Sequence, residues 1–234
     1  MTTIALALQA VKERIQACAK AAGRTPHEIQ LVAVSKGFAP CKIEEAYRAG
    51  QTSFGENRAQ EGLEKIHALK HLSLDWHFIG PIQSNKTRLV AEHFSWVHTI
   101  ERSKIAERLS LARSNGQAPL QVCIQVNISG EGSKSGVSPG DLLPLAKFVQ
   151  TLPRLRLRGL MAIPQLTADF DLQRRQFRQL RELKAALAVE GISLDTLSMG
   201  MSHDLESAIW EGATMLRVGT AIFGDRKSTK DSWQ

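Results

Sequence analysis

The sequence predicts an α/β fold, a TIM (β/α)8 barrel with an extra N-terminal helix, from three observations. Eight β-rich runs alternate with helical stretches along the 234 residues, which is the pattern of consecutive βα units. The first run, Leu31–Val34, is continuously apolar, as strands of a parallel sheet covered on both faces are. Eight βα units in a chain of this length suit a small closed barrel. A doubly wound open sheet is the alternative, because the repeat does not reveal strand order.

The elements follow one another in a regular order. Apolar residues recur every three or four positions from Ile4 to Ala22, which predicts an amphipathic helix that ends at Gly23, before Pro26. The predicted strands are Leu31–Ser35, Thr52–Gly55, Trp76–Ile79, Trp96–Ile100, Val122–Ile128, Leu155–Ile163, Thr196–Met199 and Met215–Val218. The third and fourth have the weakest patterns. Helices are expected near residues 41–49, 57–69, 84–92, 102–114, 139–151, 169–189 and 203–212.

Composition indicates an ordinary globular chain. Apolar residues make up 43% and charged residues 23%, so we expect one domain over residues 1–234, with a frayed polar tail at 226–234. The three cysteines lack metal-ligand spacing, which argues against structural zinc and favours a reducing compartment. Neither a membrane-length apolar run nor a signal-like start is present, so we expect a cytoplasmic protein without membrane contact.

The net charge of +7 favours an anionic ligand, and both a phosphate-bearing small molecule and nucleic acid satisfy it. Two arginine groups could contact nucleic acid. They are Arg154, Arg156 and Arg158 on a predicted strand, and Arg174, Arg178 and Arg181 on a predicted helix. Because no aromatic platform or nucleic-acid motif accompanies them, we interpret them as a polar strand face and a solvated helix stripe. We therefore expect no nucleic-acid partner.

Lys36 directly follows the first predicted strand, where a barrel opens onto its functional face. A lysine that loses hydration there has a lowered pKa, which makes its neutral, nucleophilic amine more available. Schiff-base formation with an aldehyde is then a natural role. A lysine that only marks the strand end in water explains the position equally well.

The ends of the last two predicted strands favour a phosphate site. In barrels, phosphate often binds to the loops after strands seven and eight. Gly200 and Gly219 allow close backbone approach, while Ser202 and Thr220 add hydroxyl donors. Gly200 with Ser202, or Gly219 with Thr220, would by itself more commonly form a helix cap. Both pairs at adjacent strand ends together favour a phosphate site.

A reactive lysine beside a phosphate site is typical of a pocket for pyridoxal 5'-phosphate (PLP). Arg217 lies two residues before Gly219, so its side chain faces the barrel interior. Arginine only donates hydrogen bonds, so it would leave the pyridine nitrogen of PLP unprotonated and weaken the cofactor as an electron sink. A structural ion pair inside the barrel is the alternative role for Arg217.

Eight motifs in order along the chain carry a family resemblance. They are Leu31–Lys36, Phe54–Asn57, Trp76–Gly80, Gln83–Lys86, Ser133–Gly136, Arg158–Met161, Gly200–Ser202 and Arg217–Gly224. Together they resemble the pyridoxal phosphate homeostasis proteins, single-domain relatives of the alanine racemase barrel. The family commonly has a polar or basic pair after the lysine, whereas this chain has Gly37 and Phe38.

The resemblance implies one cofactor site, in which a lysine forms the Schiff base, two strand ends bind phosphate and an arginine meets the ring nitrogen. The implied cofactor-binding residues are Lys36, Asn57, His77, Met161, Ser202, Arg217, Gly219 and Thr220. Lys134 resembles a loop lysine that could accept or hand on an aldehyde, although an exposed surface lysine fits the residues as well.

Three functions remain open: a PLP carrier, a PLP-dependent amino-acid racemase-like enzyme, and a phosphate-sugar enzyme that uses Lys36. Two-base racemisation needs a proton acceptor on each face of the cofactor. The single tyrosine, Tyr47, lies in the first barrel helix, and we expect no racemase β-domain after the barrel. We therefore expect a monomeric, non-enzymatic PLP-binding protein that acts in intracellular PLP homeostasis and delivers PLP to PLP-dependent apo-enzymes.

Overall fold

Eight parallel strands close into a barrel in chain order in a computed structural model, which describes residues 3–130 and 135–225. The strands are β1 (Gln30–Val34), β2 (Ser53–Glu56), β3 (Asp75–Phe78), β4 (Trp96–Ile100), β5 (Leu120–Gln125), β6 (Leu155–Met161), β7 (Thr196–Ser198) and β8 (Met215–Val218). Pairing of β8 with β1, in which Val32 lies opposite Arg217, closes the ring. The predicted TIM barrel is confirmed and the open sheet is excluded.

Helices follow the strands and cover the barrel. They are α1 (Ile4–Ala21), α2 (Pro40–Arg48), α3 (Ala59–Ala68), α4 (Thr87–His93), α5 (Ser103–Ala112), α6 (Leu142–Gln150), α7 (Phe170–Val189), α8 (Leu205–Trp210) and α9 (Thr220–Phe223). None of those in the described ranges is long and apolar enough to cross a bilayer.

The extra helix α1 packs against α2, α8 and α9, as its predicted amphipathic pattern requires. The Thr3 side chain accepts a hydrogen bond from the Leu6 N–H and begins the helix. Ile4, Leu8 and Val11 are buried on its inner face. This helix therefore supports the segment that follows β8.

The boundaries differ most from the prediction at the fifth and sixth strands. Regular pairing of β5 ends at Gln125, and beyond it Val126 pairs with Val137 only as an isolated bridge. The weakly patterned β3 and β4 both form. Lys134 and the predicted tail at 226–234 lie outside the described residues.

The predicted solvated stripe on α7 needs correction. Arg174, Arg178 and Arg181 all form ion pairs with the carboxylate of Glu211, which is fully buried. Burial alone would raise the pKa of Glu211, but hydrogen bonds and charge from these arginines outweigh it and hold that pKa below its ordinary value. The stripe therefore ties α7 to the residue after α8.

Candidate functional site

A cavity of about 360 Å³ opens at the C-terminal ends of the strands. Its lining comes from segments after β1, β2, β3, β6, β7 and β8, and it includes six of the eight residues that the sequence singled out. Those six are Lys36, Asn57, Ser202, Arg217, Gly219 and Thr220. The barrel thus brings side chains from distant parts of the chain to one site, as the strand-end argument expects.

Lys36 reaches this cavity from the second position after β1, and the backbone on both sides of it is anchored. The Lys65 ammonium donates to the Ser35 carbonyl at 2.8 Å, and the Ser35 hydroxyl donates to Glu56 at 2.6 Å. On the other side, the Gly37 N–H donates to Glu61. These contacts fix where the Lys36 side chain leaves the backbone.

The anchor is a buried charge cluster of Lys65, Glu56 and Glu61. Lys65 Nζ lies 2.8 Å from Glu56 Oε1 and 2.7 Å from Glu61 Oε1, and Lys65 and Glu56 are both buried. Burial raises the pKa of Glu56, although Lys65 and Ser35 oppose the rise. A buried carboxylate that loses its only cationic partner is costly.

We expect Lys65→Met to lower the free energy of unfolding of the cofactor-free protein by about 3–5 kcal/mol, because it removes the cation that faces the buried Glu56 carboxyl group. Urea denaturation measures the change. The matched control is Lys65→Met combined with Glu56→Gln, which removes both charges and should lose much less stability. Equal losses in the single and double variants would show that packing, rather than charge pairing, sets the cost.

The segments after β7 and β8 meet around Ser202. Its Oγ lies 3.4 Å from the Thr220 hydroxyl and accepts a hydrogen bond from the Ala221 N–H at 3.3 Å. From behind, Arg14 of α1 pairs with Glu206 at 2.7 Å and donates to the Ser202 carbonyl at 3.4 Å. Ser202 therefore links the two strand ends, with hydroxyl and N–H groups side by side.

Two glycines permit this close approach. Gly200 has φ +92°, and a Cβ there would lie 2.6 Å from the Ala208 side chain. A Cβ on Gly219 would lie 3.2 Å from the Val34 carbonyl oxygen, so this glycine lets the end of β8 pack tightly on β1. A side chain at either position would therefore disturb the packing of the strand ends that carry Ser202 and Thr220.

Arg217 forms the floor of the cavity. Its guanidinium donates to Ser198 Oγ at 2.7 Å and to the Ala162 carbonyl at 3.0 Å, and the residue is 4% exposed. Burial lowers the pKa of Arg217 to about 10, which still leaves it protonated at neutral pH. Its contacts in the described chain are hydrogen bonds to neutral groups, so the alternative of a structural ion pair is not what the geometry shows.

His77 and Met161, which the resemblance implies as cofactor-binding residues, are not among the residues that line this cavity. His77 is fully buried and stacks on Trp96, and Met161 packs with Trp96, Cys123 and Met215. Side chains two positions apart share a strand face. Ile79 and Ile163, each two residues further along the chain and just beyond β3 and β6, line the cavity instead.

Sequence reasoning missed several supporting residues. Glu61 and Lys65 are spaced i,i+4 on α3, a signal that indicates a surface pair rather than a buried anchor. Ser198 lies four residues before Ser202 on β7, and nothing in the pattern links it to Arg217. His203, an exposed residue at the cavity, was also not singled out.

Residues 6–227 match the family described as the N-terminal domain of alanine racemase. The pyridoxal phosphate homeostasis protein of Pseudomonas aeruginosa is 57% identical over 226 residues, 97% of each chain. That of Escherichia coli is 52% identical over 233 residues, 98% of this chain and all of the relative. The chain belongs to the pyridoxal phosphate homeostasis protein family.

Solved structures of this family and of more distant barrels share the fold. PipY of Synechococcus elongatus, solved with PLP bound, is 37% identical, with a TM-score of 0.85 over 95% of this chain and 100% of that one. Alanine racemase from Corynebacterium glutamicum is 15% identical, with a TM-score of 0.66 over 97% of this chain and 64% of that one. The racemase likeness therefore concerns the barrel alone.

Proposed function

We propose that this protein binds PLP in the cavity at the strand ends, holds it as a Schiff base on Lys36 and acts in PLP homeostasis. The observation that carries the proposal is that Lys36, Arg217 and the hydroxyls of Ser202 and Thr220 line one cavity. Each matches a different functional group of this cofactor.

The donor set fits PLP. The cavity, of about 360 Å³, falls in the range of small-molecule sites. A primary amine suits the aldehyde, hydroxyl and backbone N–H groups at Ser202 and Thr220 suit the phosphate, and a guanidinium suits a ring nitrogen that accepts hydrogen bonds. When bound, PLP supplies an aldehyde that condenses reversibly with amines.

The residues of the site favour a protein that holds PLP over an enzyme that uses PLP in catalysis. Arg217 is protonated and can only donate, so it orients the ring nitrogen without giving it a proton. The Ser35 and Gly37 anchors hold the backbone from which the Lys36 side chain extends. We propose that PLP leaves by exchange of its aldehyde onto another amine, with PLP-dependent apo-enzymes as acceptors. The thiols of Cys18, Cys41 and Cys123 are free, which supports our proposal of a cytoplasmic protein. We also propose that it is a monomer.

Absorbance spectroscopy of the purified protein with added PLP tests the proposal. We expect a band of the protonated Schiff base that free PLP lacks, and borohydride should bleach it by reducing the C=N bond. Pyridoxine 5'-phosphate, which has no aldehyde, is the matched ligand and should give no such band. PLP that keeps its free-aldehyde spectrum in the protein's presence would overturn the proposal.

Ser202→Ala and Thr220→Ala should each weaken PLP binding about tenfold or more, since each removes a hydrogen bond to a charged group worth roughly 1.5–3 kcal/mol. Pyridoxal, which lacks the phosphate, should bind the variants almost as well as it binds the original protein. Spectral titration with both ligands measures the two affinities. Equal losses for both ligands would mean that these hydroxyls only support the fold.

A further inference from the structure

A chain of hydrogen bonds crosses the barrel interior from the cavity floor to the opposite end. From Arg217, the contact to Ser198 Oγ is 2.7 Å, and from there to His98 Nδ1 it is 2.7 Å. His98 Nε2 lies 2.9 Å from His77 Nδ1, and His77 Nε2 lies 3.0 Å from the Asp75 carboxylate. Asp75 begins β3, at the barrel end away from the cavity, and its side chain is 35% exposed.

The donor inventory and the acceptors that face each group favour one direction for this hydrogen-bond chain. Arg217 can only donate, so Ser198 Oγ accepts from it, and in the described contacts His98 Nδ1 is the acceptor that faces the hydroxyl proton. With Nδ1 accepting, a neutral His98 carries its proton on Nε2 and donates to His77 Nδ1. His77 in turn carries its proton on Nε2 and donates to Asp75, whose carboxylate only accepts.

The pKa shifts of His98 and Asp75 agree with that direction. Burial, followed by the influence of His77 and Arg217, holds the pKa of His98 well below its ordinary value, so His98 is neutral. Burial alone would raise the pKa of Asp75, but hydrogen bonds from His77 and Ser95 outweigh it and lower that pKa. The far end of the chain is therefore an ionised acceptor.

We propose that Ser198, His98, His77 and Asp75 are positioning residues for Arg217, holding its guanidinium with donors facing the cavity. The inference deepens the proposed function and rests on it, since Arg217 is there the partner of the PLP ring nitrogen. The chain fixes an orientation and carries no proton to the ligand, because every bond already runs from Arg217 toward Asp75. This gives His77 a role one layer below the cavity.

Nitrogen-15 NMR of the histidine side chains in the cofactor-free full chain tests the direction. Among the seven histidines, assigned by single substitution, we expect His98 to be neutral with its proton on Nε2, and His77 to carry a proton on Nε2 and to accept a hydrogen bond at Nδ1. In Ser198→Ala, His98 Nδ1 loses its donor, and its resonance should move toward the value of a nitrogen without a hydrogen bond. Protonation of either ring on Nδ1, or a doubly protonated His98, would overturn the proposed direction.

A binding comparison tests the link to Arg217. The ligands are PLP and its carbon analogue, in which C–H replaces the ring nitrogen. Ser198→Ala should weaken PLP about tenfold and leave the carbon analogue nearly unchanged, because only PLP meets Arg217 through a nitrogen acceptor. Ser207→Ala is the matched control, since Ser207 is equally buried and its hydroxyl donates to Gln173. It should leave both affinities unchanged.

The outcomes separate this inference from the proposed function. Equal loss of both ligands in Ser198→Ala, or an unchanged preference for PLP over the carbon analogue, would overturn the positioning role while PLP binding stands. Failure of the original protein to bind PLP at all would instead overturn the proposed function. The histidine tautomers, measured without cofactor, would still decide the direction of the hydrogen bonds between Arg217 and Asp75.

Discussion

Lys36→Ala is expected to abolish the covalent PLP adduct completely while the barrel still folds. Lys36 is the one lysine among the described residues that line the cavity, so within that part of the chain no second amine reaches the same aldehyde. Its side chain is half-buried, and the fold depends on the backbone contacts of Ser35 and Gly37, which the substitution keeps. Residual PLP affinity should remain, because the groups facing the phosphate and the ring nitrogen are untouched.

Borohydride reduction followed by peptide mass spectrometry measures this result. In the original protein, we expect the reduced adduct on the peptide that contains Lys36. Lys104→Ala, which removes an exposed lysine on α5, is the matched control and should leave the adduct unchanged. An adduct of undiminished yield on another residue, including Lys134 outside the described ranges, would show that Lys36 is not the attachment point.

The site shows which features a sequence can predict. Apolar runs predict where strands lie, and a closed parallel barrel brings their C-terminal ends together, so Lys36, Ser202 and Arg217 could be grouped in advance. How far along a strand a side chain must lie to reach the cavity does not follow from the pattern. His77 and Ile79 share a face, and only the packed barrel distinguishes the lining residue from the one beneath it.

The supporting networks could not be predicted for a different reason. Lys65 donates a hydrogen bond to Ser35, thirty positions away in the sequence, and His98 contacts Ser198, one hundred positions away. Such pairs depend on strand order and on rotamers inside a packed core, neither of which leaves a periodic signal. Two His residues and a Ser spread over three strands look like isolated core residues until the barrel closes around them.

The second large effect that we expect is an absence of catalysis: the PLP-loaded protein should not exchange the Cα proton of common amino acids at an enzyme-like rate. Racemisation needs a second base across the cofactor from the lysine, and a missing general base typically costs 10²–10⁴-fold. Tyr47 lies on α2 and is not a lining residue. In the site that we propose, Arg217 donates to the ring nitrogen and so withholds the proton that would help the cofactor accept electrons.

His203 is the residue that could contradict this expectation. It lines the cavity, it is exposed, and apart from Lys36 it is the only side chain in the described lining with a nitrogen that can accept a proton from a substrate. It directly follows Ser202, so its backbone belongs to the segment that we propose binds the phosphate of PLP. From there, we expect His203 to contact solvent and the phosphate side of the cavity rather than the Cα of a bound amino acid.

The measurement is proton NMR of alanine and other amino acids in deuterium oxide with a high concentration of PLP-loaded protein. We expect no Cα exchange above the rate of free PLP at the same concentration. His203→Gln and Lys36→Ala are run in parallel, because each removes one of the two available bases. Exchange at about 1 s⁻¹ or faster that is lost in Lys36→Ala would overturn the carrier and restore the racemase-like enzyme, and its loss in His203→Gln as well would assign His203 to the proton transfer.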